Sequence, residues 1–326
     1  MNKLLPFLAS ATVALSACET IVDVDVPPHT PRLALSYTLS NQTPTAEYQE
    51  LFEVRDLFVS TSQGVLEPKE PAGRKDATVE LLNDAGQVVE QFRSKGRPGF
   101  NFSTGRPDSL YGYYVPTRNF VGQPGNTYTL RGSAPGVEAV EATLTLPARA
   151  TIETGSYIVS SSNNPVGWNN AGRLTCSILD NAATIDYYMV YARVLDRNGQ
   201  YWGTVQYDYN SPSNGNNSDI SLNRYQLSEA RSLYNQYPFS DVGGNGQRLI
   251  FSNDVYLDGS RTTEPAFIEV TVSSLTPDTY RFYQSLQRYY DTDGNPFAEP
   301  APLFTNVRPG YGLFGGATDV TYRIPL

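Results

Sequence analysis

"ATVELLNDAGQVVEQF", residues 77–92, decides the fold class. Ala77, Val79 and Leu81 alternate with more polar neighbours, and a period of two marks one face of a β-strand. Asn83-Asp84-Ala85-Gly86 supplies turn chemistry, and the apolar positions resume at Val88. The stretch predicts a β-hairpin.

The same period spreads outward from it. "RLALSYTL" (32–39), "YGYYVPT" (111–117), "NTYTLRGS" (126–133) and "VEAVEATLTLPA" (137–148) all alternate. Roughly six to eight short strands between 32 and 148 suggest a sandwich. "DYYMVYARVLDRNGQYWGTVQYDY" (186–209) reads as a second hairpin turning at Asp196–Gly199, and 248–260 and 265–275 return to strand. The fold expected is mainly β. An N-terminal immunoglobulin-like or transthyretin-like β-sandwich spans 32–149, and a second β-rich domain with one or two short helices spans 150–326. One helix is expected near 276–290, with Thr276 as N-cap, Pro277 at the first helical position and Asp278 in the first turn. Tyr280, Tyr283, Leu286 and Tyr290 give it an apolar stripe. A shorter helix is expected within 227–237, with Ser228 as its cap.

The N-terminus has a different logic. Leu4 to Leu15 is an apolar run of 12 residues broken by Pro6. That is short of the roughly 20 residues of a membrane span, and fits a signal peptide over 1–17. Leu15-Ser16-Ala17-Cys18 resembles a bacterial lipobox, in which the cysteine thiol takes the lipid. Residues 18–31 then read as a lipidated Cys18 and an extended tether, stiffened by Pro27, Pro28 and Pro31. Glu19, Asp23 and Asp25 resemble, in scattered form, an acidic surface-export signal. Either face of the outer membrane is compatible with this reading.

Charge and residue counts exclude several function classes. Asp and Glu number 33 against 24 Lys and Arg, a net charge of −9, the wrong sign for a nucleic-acid partner. The single histidine, His29, lies in the tether, so a Ser–His or Cys–His nucleophile is not expected. Clustered zinc ligands and a phosphate loop are absent from the sequence, and no cofactor is expected. "GYGLFGG" (310–316) reads as a turn between late strands. Cys176, in "RLTCSILD", reads as a small core hydrophobe. Asp291, Asp293, Asn295 and Glu299 resemble calcium ligands, but Gly294 falls at the fourth position of that stretch, where an EF-hand has it at the sixth. A helix-terminating turn is the better reading. Trp168 and Trp202, with Tyr201, Tyr207 and Tyr209, are candidates for a stacking platform that binds sugar or peptide. Cross-strand packing is the competing role for aromatics in strands. A pair of carboxylates far apart in sequence is the remaining route to an enzyme.

The last fifty residues carry a resemblance. A tyrosine-rich helix is followed by Asn-Pro-Phe-Ala-Glu-Pro (295–300), then Thr305-Asn306-Val307, then Gly310-Tyr311-Gly312-Leu313-Phe314. With Cys18-Glu19, "ATVELLNDAG" and "GQPGNTYTLR" (122–131), this resembles a family of Bacteroidota outer-membrane lipoproteins of unknown function, domain of unknown function 4249. Arg308-Pro309 departs from the family's small residues. The resemblance implies a palmitate-bearing lipoprotein encoded beside TonB-dependent receptors, and it carries over no catalytic residue. The expectation is therefore a non-enzymatic lipoprotein, anchored to the outer membrane through Cys18, that partners such a receptor. The alternative is a stand-alone glycan- or peptide-binding module at the cell surface. Pro296 and Pro300 should force an extended path after the helix, with Phe297 plugging an apolar pocket.

Overall fold

Asn83 and Gln87 close the 77–92 hairpin as the pattern requires. The Asn83 N–H donates to the Gln87 carbonyl at 3.0 Å, and the Gly86 N–H to the Asn83 carbonyl at 2.9 Å. Gly86 sits at φ 74°, a left-handed conformation that a Cβ would strain. The Asp196–Gly199 turn repeats this geometry with Gly199 at φ 76°. There the Asp196 carboxylate also accepts the N–H groups of Asn198 and Gln200, at 2.8 and 2.9 Å.

These turns sit in a computed structural model that describes residues 28–64, 73–101, 106–160, 171–211, 214, 225–259, 263–292 and 301–326. The first half holds nine described strands: β1 (Leu33–Ser40), β2 (Leu57–Thr61), β3 (Thr78–Asn83), β4 (Val88–Ser94), β5 (Arg97–Asn101), β6 (Arg106–Leu110), β7 (Tyr113–Pro116), β8 (Thr127–Ser133) and β9 (Val140–Thr145). The second holds β10 (Thr151–Val159), β11 (Ala171–Leu179), β12 (Tyr187–Asp196), β13 (Tyr201–Tyr207), β14 (Phe239–Ser240), β15 (Arg248–Gly259), β16 (Pro265–Leu275) and β17 (Tyr311–Pro325). Helix α1 is Ala46–Leu51 and helix α2 is Pro277–Thr292.

The protein is mainly β, as expected. One sheet runs in the order β10-β11-β15-β13-β12-β16-β17-β1-β2-β7-β4-β3-β8-β9, with β14 added to β12, while β5 and β6 form a separate ribbon. The boundary expected at 149/150 lies between β9 and β10, and the sheet crosses it through the parallel pair β1–β17. Every other pairing within the sheet is antiparallel.

Strand β17 is the seam. Its alternating side chains enter three separate cores. Phe314 joins Leu35, Leu81 and Leu130 in the first half. Ile324 joins Phe251, Val270 and Trp202 in the second. Leu313 and Ala317 pack with Phe282, Tyr283 and Leu286 of α2. From Tyr311 onward the glycine-rich 310–316 stretch is thus strand, not the turn expected. Its backbone lies so close to β1 that a Cβ on Gly312, at φ 108°, would sit 1.9 Å from the Leu35 carbonyl oxygen. That proximity is the reason for glycine there.

Helix α2 starts where expected. The Thr276 hydroxyl accepts the Thr279 N–H at 3.3 Å, and its carbonyl accepts the Tyr280 N–H at 3.1 Å. The buried seam is Thr279, Phe282, Tyr283, Ser285 and Leu286, which includes Tyr283 and Leu286 of the expected stripe, while Tyr280 and Tyr290 are only half-buried. One helix expectation is corrected. Residues 227–237 form no helix, because side chains take the backbone groups that a helix would use. Ser228 accepts the Tyr237 N–H at 2.9 Å, and the Gln236 amide donates to the carbonyls of Glu229 and Ser232, both at 2.6 Å. A helix not anticipated, α1, is capped by Thr45, which accepts the Tyr48 N–H at 3.2 Å.

Candidate functional site

Cys18, Trp168, Asp293, Glu299 and the Asn295–Pro300 motif, Phe297 included, lie outside the described residues. Asp291 is exposed near the end of α2. Trp202 corrects the platform reading. Its side chain is buried in the second-half core, with its indole N–H on the Thr263 carbonyl at 2.6 Å. Strand alternation explains this: Tyr201 points out, so Trp202 points in. Tyr207 is buried as well, with its hydroxyl on the Asn214 carbonyl, whereas Tyr209 is exposed. Cys176 is fully buried, and burial pushes its thiol up to about 12, which leaves it protonated and inert.

The most organised polar site was not visible in the sequence. Helix α1 leads through Phe52 into a 3-10 turn at Glu53–Arg55, which drives Arg55 into the interior. There its guanidinium meets Asp319 of β17 at 2.7 Å, the Tyr48 hydroxyl at 2.7 Å and the Ser273 hydroxyl at 2.8 Å. Ser273 donates to the other Asp319 oxygen, and Ser40 adds a bond at 3.1 Å. Asn41 clamps the backbone of Asp319, accepting its N–H at 2.7 Å and donating to its carbonyl at 3.1 Å. The Phe52 ring covers the guanidinium at 4.0 Å.

Burial alone would raise the Asp319 carboxyl. The Arg55 charge and the bonds from Arg55, Ser273 and Ser40 outweigh it and hold the carboxyl below its ordinary value. Burial raises the Tyr48 and Tyr191 hydroxyls beside it, so both stay protonated. Both Asp319 oxygens are engaged, which suits a structural ion pair and removes the group from proton transfer. What the knot does is fasten residues 40–55 to β16 and β17. No spacing signal links Arg55 to a partner 264 residues away.

Two grooves flank α1. One, of about 230 Å³, lies between α1 and the β16–β17 face, with Glu47, Arg193 and Glu269 on its rim. Arg193 bridges Glu47 at 2.5 Å and Glu269 at 2.7 Å, and Arg323 completes the ladder on Glu269 at 2.9 Å. The other, of about 300 Å³, is lined by Tyr201, Gln206, Glu229 and Arg231. Its size is at the lower limit for small-ligand clefts.

Fold and site together define a mainly β protein with a continuous sheet, two described helices and a buried ion pair tying its N-terminal segment to its last strand. Residues 19–323 match the family described as a domain of unknown function, DUF4249, and the chain belongs to it. No curated protein matches the chain. Among the described residues no helix is long and apolar enough to cross a membrane.

Proposed function

We propose that this protein is a non-enzymatic outer-membrane lipoprotein, anchored through Cys18, that serves as an accessory or ligand-presenting partner of a TonB-dependent receptor. The observation that carries the reading is the Leu15-Ser16-Ala17-Cys18 sequence followed by a proline-rich spacer. The spacer leads into β1 at Leu33, and 15 residues of extended chain reach about 50 Å. β1 is an interior strand of the sheet, so a tether pulling on it acts on a paired element and not on a free edge. Confinement to the membrane plane raises the effective concentration toward a membrane partner, so modest contacts suffice. The test is mild-detergent purification of the tagged native protein from its own outer membrane. Co-purification of a stoichiometric TonB-dependent receptor is expected, and Cys18→Ala should release the protein from the membrane fraction. A receptor-free monomer in several detergents counts against the proposal.

A second reading, a stand-alone glycan- or peptide-binding module, is favoured by the groove at Tyr201. That ring is 42% exposed and lies 5.8 Å from the Arg231 guanidinium carbon. An exposed ring beside Gln206 and Glu229 offers a stacking face with hydrogen-bonding groups at its edge. Specific binding on a glycan or peptide array that Tyr201→Ala abolishes would establish it.

A further inference from the structure

Two loops on the second half bring three aspartates together. Asp180 and Asp186 flank the β11–β12 connection, and Asp241 follows β14. One carboxylate oxygen from each lies within 4.8 Å of the others. Tyr188 donates its hydroxyl to Asp180 Oδ1 at 2.8 Å, and the Gly246 N–H donates to Oδ2 at 2.7 Å. Thr184 donates to Asp186 Oδ2 at 2.9 Å, and the Asp186 N–H to Asp241 Oδ2 at 3.0 Å. Asp241 Oδ1 is different. Asp241 is 0% exposed, and among the described residues no group donates a hydrogen bond to Oδ1.

A buried carboxylate oxygen left unsatisfied costs free energy, and three carboxylates this close repel one another. Among the described residues no Lys or Arg forms a salt bridge to any of the three. A missing positive charge resolves both problems at once. The donor set is all oxygen, which suits a hard cation, and ligands drawn from irregular loops suit the variable coordination of calcium over the stricter octahedron of magnesium. We infer that Asp180, Asp186 and Asp241 form a calcium site, with Asp241 Oδ1 as its innermost ligand. The ion would pin the β11–β12 loop to the β14–β15 loop. This site is separate from the grooves beside α1 and does not depend on how the protein is anchored.

The test uses the full-length protein purified in detergent. Thermal unfolding is compared in chelator and in CaCl₂ at about 1 mM, within the working range of extracellular calcium modules. A melting midpoint several degrees higher in calcium is expected. Asp241→Asn should fold and lose that shift. Terbium luminescence gives a second readout on the unmutated protein, because Tyr188 lies against Asp180 and can sensitise a bound lanthanide. Tyrosine-excited emission that calcium competes away supports the site. No calcium shift together with no terbium signal overturns it, and leaves a proton shared among the aspartates as the explanation of the buried oxygen. A calcium shift that survives Asp241→Asn also overturns it. An equal response to magnesium overturns the choice of ion.

Discussion

Asp319 and Asp241 are both buried carboxylates, and the fold treats them in opposite ways. Asp319 has a guanidinium against it, donors on both oxygens and a clamped backbone. Asp241 has one backbone N–H on one oxygen and, among the described residues, no donor on the other. Burial raises the Asp241 carboxyl and the Asp186 N–H lowers it, while the Asp180 carboxyl, by its charge and by lying within hydrogen-bonding reach, and the Asp186 charge push it further up. At Asp319 the same burial is outweighed. Glu90 stands between the two. It is 1% exposed and has no ion pair among the described residues, yet backbone N–H groups of Gln91, Thr117, Arg118 and Phe120 all donate to it within 2.9 Å. A buried carboxylate is thus settled by a cation, by a ring of N–H dipoles, or by something yet to be supplied. The first two hold the fold together, and the third marks a site.

The largest effect should come from Asp319→Ala. Removing one partner strands Arg55 as an uncompensated buried charge, which costs about 3–5 kcal/mol. Urea unfolding measures this, and a loss below about 1 kcal/mol would show that the pair behaves like a surface salt bridge. Glu90→Gln comes next. It exchanges charge-assisted bonds for neutral ones and points an amide N–H at a donor, a loss of about 1.5–3 kcal/mol. An unchanged urea midpoint would mean that the 117–120 loop holds itself.

The acid limb of stability follows from Asp319. Its folded pKa is lowered against an unfolded value of about 3.9, so its contribution is complete above that value. The contribution is lost as pH falls from about 4 toward the depressed folded value. Urea midpoints measured from pH 6 downward should fall in that window, and Asp319→Asn should flatten the fall. A wild-type curve parallel to that of Asp319→Asn would remove this group as the cause. The smallest effect belongs to Asp241→Asn in chelator. Deleting one of three clustered charges should leave the midpoint unchanged or raise it slightly. A drop as large as that of Asp319→Ala would erase the distinction between the two carboxylates.

Much of the fold was legible in the sequence because it is local. Alternation places Val79 and Leu81 inward, Gly86 and Gly199 permit turns that a side chain would strain, and Thr276-Pro277 starts a helix with its own hydroxyl. Each of these is decided within a few residues. The candidate sites are not. Trp202 had the composition of a stacking surface, and only its strand register put it in the core. The 227–237 segment had Ser228 as a candidate helix cap, and it lost the helix to hydrogen bonds accepted by Ser228 and donated by Gln236.

By itself, then, the sequence determined a β-rich body, the lipobox-like start, two hairpins and helix α2, because backbone conformation and side-chain period are short-range properties. Tertiary structure alone decided that β17 returns to lie parallel to β1 and joins both halves in one sheet. It alone paired Arg55 with Asp319 and brought Asp241 to Asp180 and Asp186 from a second loop. Charge interactions act through space and are blind to sequence separation, so nothing along the chain marks which of its 33 acidic residues will be met by a cation and which will be left waiting for one.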